Sequence, residues 1–239
     1  MRQFSYTENG GGNYQFLLAD TRFLTGPRIP GSPLLAAWAP KPFDRILICE
    51  KNSDLAKACR QRLDQQSISK EKEVFEGDCN IEINRLVKQI PKRSLTLAFV
   101  DPEGLHVCFD TIRALTGDRR VDLLVLFADH MDILRYVESV YLPQKNSNLD
   151  LFLGPDSKWR ELWRAMPDRN PNRVCDLFAD IYKDQLQRYL GYRVFSHRVM
   201  KSTRSPLYCI IYACKHDRGQ EFWNHITKVD RSGQQDLPF

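Results

Sequence analysis

The stretch that most constrains this chain is residues 94–104, SLTLAFVDPEG. A mostly apolar run leads straight into Asp101, Pro102, Glu103 and Gly104, the pattern of a central parallel strand whose carboxyl end opens into a site. In open α/β sheets, ligands collect outside the carboxyl ends of the strands near the topological switch point. An acid there, followed at once by Pro and Gly, reads as chemistry. A helix-capping Asp in a tight turn is the competing reading and has equal claim on this stretch alone.

Strands and helices alternate around it. Residues 14–20, YQFLLAD, make a first strand ending in Asp20, after a glycine-bearing lead-in over 1–13. The Pro- and Gly-rich residues 21–33 form a loop over that strand end, with Ser32 placed to cap a short helix starting at Pro33. Residues 44–50, DRILICE, form a second strand ending in Glu50, and Asn52 or Ser53 caps the helix that follows. A short edge-like strand at 73–75 leads through the turn 77–80, GDCN, into a helix over 81–90 closed by Pro91. After residues 94–101, a helix over 107–115 and a fifth strand over 122–127 complete the series. Such alternation implies a parallel sheet with right-handed crossovers and helices on both faces.

The second half changes character. Helices are predicted over 131–141, 159–166 and 174–190, with 146–156 irregular and Gly191 as a stop. Strands over 192–200 and 207–215 flank KSTRSP, a connection short enough for an antiparallel hairpin. A helix over 219–228 and a polar tail over 229–239 end the chain, which reads as one domain over 1–239 with residues 128–172 a helical insertion over the strand ends.

Lysine and arginine number 35 against 30 acids, and this net +5 permits an anionic partner without demanding one. The seven cysteines are odd in number, without CxxC or paired-ligand spacing, so they read as small core residues of a cytoplasmic protein and no metal is assigned. No apolar run approaches the length of a membrane span.

Five parallel βα units finished by an antiparallel hairpin match the order of elements in the Rossmann-like sheet of class I methyltransferases, which use S-adenosylmethionine. Fold alone does not establish that activity. The acids add to it: Asp20, Glu50, Asp78 and Asp101 fall at or just past four strand ends. Glu50 suits both ribose hydroxyls, Asp78 with Cys79 the adenine edge, and the loop 26–32, with Gly26 and Ser32, the rest of the cofactor. Asp101 with Pro102 sits where a methyl acceptor approaches, and methyl transfer needs alignment more than proton chemistry.

In order and spacing, PGSPLLA, ICEKN, EGDCN, FVDPEGL, FLGPDSKW and PLYCIIYACKHDRGQEFW resemble the three-Cys-motif partner proteins over nearly the whole chain. That resemblance implies a methyltransferase-like fold, S-adenosylmethionine as cofactor, the four acids as its cofactor-side and acceptor-side groups, and a three-cysteine-motif protein resembling radical S-adenosylmethionine enzymes as partner. The chain departs from the family after Asp20, where TRFLTG has one glycine in place of two, and at DPEG, where Glu103 replaces an aromatic residue. A flipped-base acceptor would then need His106 or Phe109 as its stacking face.

Other readings stay open. A fold retained without turnover, serving as a scaffold for a protein or nucleic-acid partner, follows from the altered first loop. Trp159, Arg160, Trp163 and Arg164 fit either a nucleic-acid face or an amphipathic core helix. His197, Arg198, Lys201 and Arg204 make a basic hairpin, and His216 with Arg218 fits either a phosphate site or a solvated turn. A Mg²⁺ nuclease ranks last, because no acid-x-Lys pair follows an acid on a neighbouring strand.

Overall fold

A computed structural model describes residues 13–19, 31–39, 43–65, 71–102, 104–201 and 206–227. The lead-in up to residue 12, Asp20, Gly26, Glu103, Arg204 and the tail 229–239 lie outside the described residues. The strands are β1 (Asn13–Ala19), β2 (Arg45–Glu50), β3 (Glu71–Glu76), β4 (Leu95–Asp101), β5 (Arg120–Phe127), β6 (Val194–Lys201) and β7 (Pro206–Cys214). They form one mixed sheet in the order β3-β2-β1-β4-β5-β7-β6. The pairs β3–β2, β2–β1, β1–β4 and β4–β5 are parallel, whereas β7 runs antiparallel to both β5 and β6. The order therefore reverses at β1 and β4: the chain builds outward to β3, then crosses back.

The period-2 pattern of the strands sorts side chains between two cores. On β2, Ile46 and Ile48 face α1 (Ser32–Ala37) and α2 (Ser53–Asp64), packing with Ala36, Ala37, Cys59 and Leu63. Leu47 and Cys49 point the other way, into a much larger core shared with α3 (Cys79–Val87) and α4 (Phe109–Thr116). Alternate residues of β4 and β5, Ala98, Val100, Leu123 and Val125 among them, are fully buried in that same core.

After β5 the chain enters a π-helical turn, Asp129–Ile133, one α-turn, α5 (Leu134–Tyr136), and a second π-turn, Val137–Tyr141. The expected helix over 131–141 is thus present with widened ends. The Ala128 carbonyl accepts from both Asp132 N–H (3.0 Å) and Ile133 N–H (3.2 Å), which shows where the ladder shifts register. Next come α6 (Asn148–Leu153), α7 (Trp159–Ala165), the long α8 (Pro171–Leu190) and, after the hairpin, α9 (Asp217–Thr227). Leu149, Phe152, Trp159, Trp163 and Phe178 place α6, α7 and α8 in the large core.

Several boundaries differ from the sequence reading for identifiable reasons. Ser32 does not cap α1: Gly31 is the N-cap, its carbonyl accepting from Leu34 and Leu35, and Ser32 is already the first helical residue. The helix expected from residue 81 starts at Cys79, because Asp78 caps it. The supposedly irregular 146–156 contains α6, closed at its start by a reciprocal Ser147–Asp150 capping box.

Candidate functional site at the carboxyl edge of the parallel strands

β2 ends in Glu50, which is only 4% exposed. Its Oε1 accepts the Asn52 N–H at 2.8 Å, and Asn52 in turn caps α2 by accepting the N–H groups of Asp54 and Leu55, both at 3.0 Å. The Glu50 carbonyl accepts the Gly77 N–H at 2.9 Å, tying the end of β2 to the turn after β3. Removing a carboxylate from water is costly unless hydrogen bonds hold it, so this strand end is built around the acid.

Just past β3, Asp78 does two things at once. Oδ1 accepts the Asn80 N–H at 2.9 Å as the cap of α3, and Oδ2 accepts from Lys51 Nζ at 2.9 Å. Burial would raise its pKa, but the Lys51 ammonium and the Asn80 N–H outweigh that and hold the carboxyl below its ordinary range. Cys79 opens α3; burial, reinforced by the charge of Asp78, pushes its thiol up to about 12, so it is a neutral neighbour rather than a nucleophile. Asn80 clasps the loop that follows β4. Its Nδ2 donates to the His106 carbonyl (2.8 Å), and its Oδ1 accepts from Cys108 N–H (2.9 Å) and Thr111 Oγ1 (2.6 Å).

Asp101 closes β4 in register with Ala19 of β1, and it is half-buried, as is Pro102. Glu50 and Asp101 thus end the two strands flanking β1, about 10 Å apart at the backbone from two strand spacings. Gly104 follows at φ +73, and any Cβ there would run into Asp132 Oδ2, so the turn needs glycine. Asp132 is held by the hydroxyl of Tyr141. From the antiparallel side, Tyr208 of β7 reaches the same edge; burial raises its pKa, and the nearby charge of Asp101 adds to the rise.

Of the expected site residues, the structure brings Glu50, Asp78 and Cys79 together around the turn after β3, and sets Asp101 and Pro102 across β1 from them. Ser32 lies at the start of α1, half-exposed, with no capping bond. Tyr208 and Asn80 escaped the sequence reading: Tyr208 comes within the field of Asp101 through the sheet order that sets β7 beside β5, and Asn80 looked like one more turn residue.

The structure decides two readings that the sequence left open, the first in favour of an amphipathic core helix. Trp159 and Trp163 are 1% and 3% exposed and pack against Phe178, so neither indole offers a stacking face to nucleic acid. Arg160 turns inward to Asp150 and the carbonyls of Tyr141 and Gln144. Phe109 is likewise core, edge-on to Tyr182 and Tyr189, which leaves His106 as the exposed ring of the loop after Asp101.

No protein-family profile matches the chain, and no curated protein does. Solved structures similar to it include the O-methyltransferase TomG of Streptomyces achromogenes with SAM (11% identity, 85% of this chain and 73% of that one, TM-score 0.48). An O-methyltransferase from Bacillus cereus with SAH (10%, 85% and 74%, TM-score 0.46) and a fibrillarin/Nop5p complex (9%, 89% and 77%, TM-score 0.44) are also similar. At TM-scores below 0.5 these likenesses carry no weight for the site. Among the described residues, no helix is long and apolar enough to cross a membrane.

Proposed function

We propose that the chain binds S-adenosylmethionine along the carboxyl edge of β1, β2 and β3 and serves as a methyltransferase whose acceptor lies at Asp101. One observation carries the reading: a carboxylate, Glu50, is buried at the end of the strand next to the point where sheet order reverses. That is the position from which an acid accepts ribose hydroxyls in nucleotide-binding α/β sheets. The residues fit such a group. Glu50 would take the ribose, Asp78 and Cys79 the adenine side, and Asp101 with Tyr208 the acceptor. Bound there, the cofactor supplies an electrophilic methyl group. Asp101 then orients an acceptor amine or hydroxyl, with Gly104 allowing the loop to turn away. The motif resemblance to three-Cys-motif partner proteins accords with this reading.

Calorimetric titration with S-adenosylmethionine and S-adenosylhomocysteine tests it. Micromolar binding to the wild type and a loss of about tenfold or more in Glu50→Gln are expected, since one charge-assisted hydrogen bond is worth about 1.5–3 kcal/mol. Absence of heat and of a thermal shift with both ligands would sink the proposal.

A second reading, a methyltransferase fold kept as a binding scaffold, draws on Asp78. Both its oxygens are already engaged, by the Asn80 N–H and by Lys51, so an adenine amine must displace the lysine. Under this reading Lys51→Ala leaves S-adenosylmethionine binding unmeasurable, whereas under the first it preserves or strengthens it.

A further inference from the structure

Immediately beyond β5, on the same strand-end edge, Asp129 and His130 occupy the first π-turn, and α8 lays Cys175 against them. One donor atom from each lies within 4.8 Å of the others. His130 Nδ1 is 3.1 Å from Asp129 Oδ1 and 3.5 Å from Cys175 Sγ, which lies farther, at 3.8 Å, from Nε2.

Two arguments separate this cluster from ordinary packing. The Asp129 side chain is only 3% exposed; its Oδ1 accepts the His130 N–H at 2.7 Å, and among the described residues no Lys or Arg forms an ion pair with it. A neutral hydrogen bond leaves the charge itself uncompensated, and buried carboxylates are normally paired with a cation or ligate a metal. The second argument is the spacing. A tetrahedral zinc ion with Zn–N of about 2.05 Å and Zn–S of about 2.3 Å sets donor edges near ~3.3 Å for N···O and ~3.6 Å for N···S. The distances of 3.1 Å and 3.5 Å come close to both, and because Sγ also lies 3.8 Å from Nε2 and so flanks the ring, zinc on Nδ1 requires the imidazole to turn its lone pair toward the other two donors.

A Cys-His-Asp nucleophilic array fits less well. Such an array needs the thiol and the carboxylate on opposite ring nitrogens, with the base between them. Here the carboxylate lies on Nδ1, and the sulfur, 3.5 Å from Nδ1 and 3.8 Å from Nε2, is in line with neither nitrogen.

We propose that Asp129, His130 and Cys175 form a three-ligand site for Zn²⁺, with the fourth position open to water or to a donor atom of a bound molecule. A mixed oxygen, nitrogen and sulfur set suits zinc, and three protein ligands with one open position are the arrangement of reactive rather than purely structural zinc sites. None of the three is assigned to the cofactor, so the site stands or falls independently of the methyltransferase reading.

The test uses the full chain, freed of any affinity tag. Metal analysis after zinc loading and desalting, with competition against a chromophoric chelator, should give one zinc per chain. Co²⁺ in its place should produce a thiolate-to-metal charge-transfer band. Cys175→Ser should abolish that band, and His130→Asn, at a part-exposed ring, should weaken zinc binding by about a hundredfold or more, beyond what loss of an outer-shell partner costs. Cys214→Ser, at a distant thiol that donates to the His216 carbonyl, should retain both metal and band. Failure of the wild type to hold zinc against the chelator, or a band indifferent to Cys175→Ser, overturns the proposal. So does equal loss in the Cys214 variant. Because the first measurement is made on the wild type, a variant that misfolds does not protect the idea.

Discussion

Asn80 shows how much one side chain can organise. Its amide satisfies a carbonyl, a backbone N–H and a hydroxyl from the segment between Asp101 and α4, so the loop carrying the proposed acceptor side is fixed from α3. Asn80→Ala leaves three groups without that partner, and a loss of about 2–4 kcal/mol is expected, since each orphaned group costs about 1–3 kcal/mol where water cannot replace it. Urea denaturation checks this; a change below about 0.5 kcal/mol would show that the loop holds itself. At Gly104, Ala must adopt a positive φ and push Asp132 aside, so Gly104→Ala should cost about 1–3 kcal/mol by the same assay. Asn80 could not be singled out from the sequence, because Asn in a GDCN turn is what any turn uses, and Gly104 was legible only as the end of the DPEG turn, not as a residue packed against Asp132. Asp101 was legible because an apolar run ended on it, whereas Tyr208 lay in a strand whose neighbours are decided only by sheet order.

At the scale of elements, Asp150 joins two helices that the sequence treats differently: it foresaw α7 and missed α6. Asp150 accepts from Ser147 in the capping box of α6, from Trp159 Nε1 at 2.7 Å and from Arg160, so α6 and the start of α7 share one carboxylate. A six-residue helix between polar residues and Gly154 has too few turns to reveal a period, so the sequence offered only loop chemistry there. Burial acts to raise the pKa of Asp150, and the bonds from Arg160, Trp159 and Ser147 more than offset it, leaving it depressed. A depressed carboxyl stabilises the fold fully above its unfolded value of about 3.9 and loses that contribution as pH falls through the folded value. The stability difference between wild type and Asp150→Asn should therefore be full at pH 6 and shrink below about pH 4. Chemical denaturation at several pH values reads this directly, and a difference constant down to pH 3 would show that Asp150 acts through shape alone.

For the molecule as a whole, the alternation of strands and helices was readable because both periods are strong on β2, β4 and β5, and a sheet buried on both faces leaves little choice of layers. Less readable was how unequal the two faces are. Among the described residues, the α1–α2 side of the sheet holds a cluster of six buried side chains, and the other side a cluster including Trp159, Trp163, Phe109, Phe127, Phe152, Phe178, Tyr182 and Tyr192. Burying an aromatic side chain contributes about 1.5–3 kcal/mol, so the second face is expected to dominate the global stability. Regions with few buried contacts open at lower free energy, so native-state hydrogen exchange should release α1 and the first turns of α2 well before α4 and α8. The ligand enters this prediction, because Glu50 and the Asn52 cap connect the proposed cofactor edge to α2. Saturating S-adenosylmethionine should slow exchange in α2 and in the turn after β3 while leaving α8 unchanged. Zinc, by contrast, should slow α8 around Cys175 and leave α2 as it was. Protection that spread evenly over both faces with either ligand would mean that the ends of β1, β2 and β3 and the cluster beyond β5 are not separate sites.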